Sequence, residues 1–88
     1  MRNLRVATAS TCAQLANCIA TVLKEEQEMT LSAIGAGAVN QAVKGIAVAR
    51  GMLCEEGYDI VCKPSFKNVF IDGIEKSAIN ISLEACAI

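Results

Sequence analysis

Ile34-Gly35-Ala36-Gly37-Ala38-Val39-Asn40-Gln41-Ala42-Val43-Lys44 reads as the end of a strand, a glycine turn and the first turns of a helix. Glycine lets the backbone turn sharply and lets another backbone or an anion come close. The first turn of a helix presents free N–H groups and a partial positive charge, which suits phosphate. Two nucleotide motifs are nevertheless absent. The stretch lacks the Lys-Ser/Thr end of a P-loop, and Asn40 follows Gly35 and Gly37 where a dinucleotide fingerprint has its third glycine or alanine. We therefore read it as a packing turn that launches a buried helix. Asn40, Gln41 and Lys44 are its polar groups and candidate nucleic-acid ligands.

The helix runs to about Glu56, and Gly57 stands where helices commonly stop. Val39, Val43, Ile46 and Leu53 make one apolar stripe, and Ala38, Ala42, Gly45 and Ala49 make a second stripe of small residues. Between Lys44 and Glu55 only Arg50 is charged. A helix apolar over most of its circumference needs cover on more than one side. A sheet supplies one cover; the first helix or a second copy of the chain supplies the other. Gly45 costs about 1 kcal/mol relative to alanine inside a helix. The small stripe therefore predicts close backbone approach, across a homodimer interface or against Ala13, Ala16 and Ala20 of the first helix.

Upstream, Leu4 to Thr8 alternates as a strand does. Ser10 or Thr11 caps a helix, with Thr11-x-x-Gln14 in capping-box spacing. Leu15, Ile19, Val22 and Leu23 form its apolar face, and Lys24-Glu25-Glu26 is a solvated end. Met29 to Ile34 is a short, largely buried strand. Downstream, Tyr58 to Cys62 reads as a third strand that Pro64 interrupts, because proline donates nothing to a ladder. Val69-Phe70-Ile71 resumes the extended pattern, and Asp72-Gly73 is a strong hairpin signal. Ile79, Ile81 and Leu83 then alternate with Asn80, Ser82 and Glu84 as a half-buried final strand. The order is β-α-β-α-β-β.

The chain of 88 residues fits one domain, residues 1–88, whose burial is marginal for a monomer. Net charge is −1, so the chain is not the basic domain of a strong nonspecific DNA binder, and any nucleic-acid role rests on a local patch. There is no histidine, which removes Ser-His and Cys-His pairs and Cys/His zinc sites. Cys12, Cys18, Cys54, Cys62 and Cys86 form no C-x-x-C pair, and their odd number argues against a disulfide framework. We read them as small buried hydrophobes in a reducing cytoplasm. No signal segment and no apolar run of membrane-span length is present. The reading is of a cytoplasmic binding protein, not an enzyme, with no cofactor, metal or small-molecule substrate.

The remaining candidates are cationic. Lys63, Lys67 and Lys76 lie on or near the hairpin, Asn40, Gln41 and Lys44 at the helix start, and Arg2 and Arg5 on the first strand. Three lysines can track a phosphate backbone while Phe66 stacks on a base. Equally, such lysines keep an exposed sheet edge from pairing with neighbours.

Ala33 to Lys44, continued by Ile46-Ala47-Val48-Ala49-Arg50-Gly51, closely resembles the signature of the stage V sporulation protein S family. Pro64-Ser65-Phe66, Ile71-Asp72-Gly73 and Ser77-Ala78-Ile79 match in kind and position, so the resemblance covers nearly the whole chain. That family is similar in turn to Alba-type chromatin and RNA-binding proteins. The resemblance implies an α+β, two-layer, Alba-like fold: a mixed four-stranded sheet in order 1-2-4-3 with two helices on one face. It also implies a sporulation-associated regulator that forms a homodimer or higher homo-oligomer. Such a protein binds DNA or RNA through the hairpin and the start of the second helix. The alternative is a protein-assembly module of sporulation. It is favoured where Ala9-Ser10 and Ala36 stand in place of the basic residues of Alba proteins.

Overall fold

The computed structural model describes residues 2–88. Met1 lies outside them. The elements are β1 (Arg2–Val6), α1 (Cys12–Glu26), β2 (Glu28–Ile34), α2 (Ala36–Cys54), β3 (Tyr58–Ile71) and β4 (Ile74–Ala87). They build one mixed four-stranded sheet in the order β1-β2-β4-β3, with β1 parallel to β2 and the other pairs antiparallel. This is the α+β element order and strand order that the resemblance implied.

Alternation along the strands sends one face to the helices. Met29, Leu31 and Ala33 of β2 and Ile81 and Leu83 of β4 are buried there, and meet Leu15, Ile19, Val22 and Leu23 of α1. No polar or charged residue is buried among the described residues. Each fully buried Leu or Ile contributes roughly 1.5–3 kcal/mol from water exclusion. Thr11 caps α1, its hydroxyl accepting from the Gln14 N–H at 3.4 Å. Ser10 instead braces the preceding turn, accepting from the Ala7 N–H.

The glycine turn works as a packing turn. Gly35 has φ +89°, which L side chains rarely adopt. A β-carbon on Gly37 would lie 2.9 Å from Thr8, so the loop after β1 packs closely against the start of α2. The small stripe is buried inside the chain: Ala38, Ala42, Gly45 and Ala49 all face inward, and Gly45 meets Leu15 of α1. Ala16 and Ala20 of α1 are buried as well, whereas Ala13 is exposed.

Two expectations change. β3 is not interrupted: it is paired with β4 from Tyr58 to Ile71, straight through Pro64 opposite Ile81. β3 is an edge strand, and there a proline's missing N–H can face outward without breaking the ladder. Nor are the cysteines core residues. Cys12 and Cys18 are half-buried, and Cys54, Cys62 and Cys86 are exposed free thiols. The expected hairpin turn is present, with Asp72 at φ 52° and Gly73 at φ 77°, the positive values of a type I′ turn.

Candidate nucleic-acid interface

β4 pairs with β2 only from Glu84 to Ala78. Beyond that, Asn68–Ile71 and Ile74–Ser77 pair with each other alone, so the hairpin projects from the sheet. The longest dimension of the molecule is 44 Å. The three hairpin lysines share one side of this ribbon. Lys63 is opposite Ser82, Lys67 opposite Ala78 and Lys76 opposite Val69. All have the parity opposite to buried Ile60, Ile81 and Leu83, so they lie on the face away from the helices. Arg5 of β1, opposite Ser32, shares that face.

Phe66 does not join them. It is opposite Ile79, on the helix side, and is 83% exposed. There it lines a shallow apolar groove of about 550 Å³ with Ala36, Val39, Asn40 and Val43. An adjoining groove of about 560 Å³ continues along α2, between Val43, Ile46 and Arg50 on one wall and Cys62, Pro64 and Ile81 on the other. Phe70 has the same parity as Phe66 and is 71% exposed. The expected set thus divides between a cationic sheet face and an apolar groove.

At the start of α2 the polar groups differ in freedom. The Gln41 side chain is used inside the protein: its Nε2 donates to the Ser10 carbonyl at 2.6 Å, and its Oε1 accepts weakly from Cys12 Sγ at 3.9 Å. It ties α2 to the start of α1. Asn40 and Lys44, one turn apart, are exposed.

Charge is distributed unevenly. Three of the eight bases are ion-paired: Arg2 with Glu26, Lys24 with Glu56 and Arg50 with Asp59. Arg5, Lys44, Lys63, Lys67 and Lys76 form no ion pair among the described residues. Seven acids (Glu25, Glu26, Glu28, Glu55, Glu56, Asp59 and Glu84) sit at the end where both helices finish. Glu28 and Glu84 are directly opposite each other there. The unpaired bases extend from mid-sheet to the hairpin, where only Asp72 and Glu75 are acidic. A chain of net charge −1 therefore has a cationic region.

The Arg50–Asp59 pair closes one end of the groove. Arg50 Nε donates to Asp59 Oδ1 at 2.7 Å, and a second guanidinium nitrogen donates to Oδ2 at 3.4 Å. The Arg50 hydrogen bond, helped by the Ile60 N–H, holds the Asp59 carboxyl below its ordinary range. The same hydrogen bond raises the Arg50 guanidinium.

Several groups are hidden in the sequence because Pro64 reads as a break there. With β3 continuous, period-2 alternation places Phe70 beside Phe66 and Ser65 between Lys63 and Lys67. In the sequence Asn80 is only the outward half of an alternating strand. Its Oδ1 is a buried acceptor with no hydrogen-bond donor, an arrangement that costs roughly 1–3 kcal/mol. Among the described residues, no group of three or more His, Cys, Asp or Glu could hold a metal ion, and no helix is long and apolar enough to cross a membrane.

This architecture has a solved counterpart. The chain is similar to Alba from Thermoplasma volcanium, with a TM-score of 0.65 over 96% of this chain and 98% of that one, at 9% sequence identity. At that identity the likeness concerns the fold alone. The family model for stage V sporulation protein S matches residues 2–86. Its match covers every strand and both helices, apart from one residue at the end of β4. The chain thus belongs to the stage V sporulation protein S (SpoVS) family of sporulation-associated proteins.

Proposed function

We propose that this protein is a non-enzymatic regulator of sporulation that binds DNA or RNA as a homodimer in the cytoplasm. The observation that carries the reading is the set of cations with no ion pair among the described residues: Arg5, Lys63, Lys67 and Lys76 on the sheet face turned away from the helices, and Lys44 on α2. Cations without internal carboxylate partners remain available for phosphate and release counterions on binding. The homodimer half of the reading rests on the groove between α2 and the hairpin. It leaves Val43 and Phe66 exposed beside a shared apolar wall, and a second copy of the chain would remove them from water. On this reading the seam is in the groove, because the small stripe of α2 is already occupied by α1. The edge of β3 is a poorer seam, since Pro64 and the flanking lysines discourage strand addition. Five free thiols suit a reducing compartment.

The alternative is a protein-assembly module with no nucleic-acid ligand. The acidic end, with Glu28 facing Glu84, favours it. Fluorescence anisotropy with mixed-sequence DNA and RNA separates the two. The nucleic-acid reading expects binding at micromolar protein in low salt that weakens steeply as salt rises. It expects Lys67→Glu/Lys76→Glu to lower affinity at least tenfold. Absence of binding to either polymer at low salt would reject it.

A further inference from the structure

The sheet face turned away from the helices carries two cross-strand rows of polar residues. The first runs Asn3–Thr30–Ser82–Lys63, and the second Arg5–Ser32–Asn80–Ser65. All four strands contribute to both rows, and neither contains a carboxylate or an apolar residue. Lys67 and Lys76 extend the same face along the hairpin, and Glu28 with Glu84 bounds it at the other end. We propose that this face is a docking platform for the phosphodiester backbone of a duplex. The inference rests on the nucleic-acid reading above and adds the place and the form of the ligand.

Two observations support it. First, Arg5 and Lys63 stand on the two edge strands, so cations flank a strip about 14 Å wide, three interstrand spacings. Short hydroxyl and amide groups lie between them, the kind that bond phosphate and sugar oxygens without reading bases. Second, the rings are elsewhere. Tyr58, Phe66 and Phe70 are the only aromatic residues of the chain, and all three have the opposite parity on β3. Single-strand binders stack bases on aromatic rings. A polar, cationic face without rings suits a duplex held by its backbone.

The test uses the full chain and fluorescence anisotropy at low salt. The probes are a mixed-sequence DNA duplex, an RNA duplex and their component single strands. Arg5→Glu and Ser65→Glu change exposed residues that are neither on the hairpin tip nor on α2, and melting curves verify their fold. Each should lower duplex affinity about tenfold, and Arg5→Ala should reduce the logarithmic salt slope by about one. The DNA and RNA arms decide which duplex is preferred. If Lys67→Glu/Lys76→Glu abolishes binding while Arg5→Glu and Ser65→Glu bind like wild type, the platform is wrong and the nucleic-acid reading stands. A preference of more than tenfold for single strands overturns the duplex assignment. Polyglutamate bound as tightly as duplex overturns nucleic acid as the occupant. If the wild-type chain binds no probe, both proposals fail.

Discussion

Gly45 and Leu15 share one position in space. A β-carbon on residue 45 would lie 2.6 Å from Leu15 Cδ2 and 2.7 Å from its Cγ. The two helices therefore pack through a glycine, and the helix-propensity cost of Gly45 is offset by the closeness it permits. Overpacking costs about 1–3 kcal/mol, against about 1 kcal/mol gained in propensity. Gly45→Ala should lower stability by up to about 2 kcal/mol, read from urea unfolding. Leu15→Ala in the same chain should relieve the clash, so the double variant should lose less than the sum of the single changes. Additive losses would show that residue 45 does not meet Leu15.

The Arg50–Asp59 pair predicts a small pH dependence. Asp59 has a folded pKa below its unfolded value of about 3.8. Its contribution is therefore complete above about pH 3.8 and is lost as pH falls through the lower folded value. Asp59→Asn should remove that part of the acid sensitivity and leave the rest of the profile unchanged. Urea midpoints measured through the acid range, for wild type and variant, give the comparison. The effect will be modest, because both groups are exposed at the surface.

Val43 and Phe66 lie on facing sides of the groove assigned to the second copy. Val43 is 54% exposed, so Val43→Glu places a charge at the seam without disturbing the monomer core. Light scattering should show the mass falling from that of a dimer to that of a monomer, while the melting curve stays cooperative. Phe66→Ser should act in the same direction. An unchanged mass in both variants would remove the groove as the dimer seam.

Gln27 closes α1 at φ 67°, in the left-handed region, with its N–H bonded to the Leu23 carbonyl. A non-glycine residue pays roughly 1–2 kcal/mol there, whereas glycine does not. Gln27→Gly should therefore stabilise the chain by about 1 kcal/mol in chemical unfolding. The Gln27 carbonyl would still accept from the Ala85 N–H, because that bond is made by the backbone.

Much of the fold was legible because the signals are local. Thr11 at the start of α1, Asp72-Gly73 in the hairpin and the alternation Ile79-Ile81-Leu83 each report a backbone preference that neighbours do not overturn. Pro64 misled because its meaning depends on which strand is at the edge, and the sheet order decides that. Of the candidate site, the residue types were legible and their grouping was not. Lys67 and Phe66 are adjacent in sequence, yet alternation sends them to opposite faces. Gln41 resembled a free ligand, but Ser10, 31 residues away, uses it.

Sequence by itself determined the element order, the glycine turn and the family, since these depend on residue types at short spacing. It also established that a chain of net charge −1 with no histidine needs a local patch for any anionic partner. Tertiary structure decided what the small stripe meets and which lysines share a face. It also joined Arg5 of β1 to Lys63 of β3 across two intervening strands. The physical reason is that periodicity assigns each side chain a direction relative to its own strand or helix. Only packing assigns that direction a neighbour.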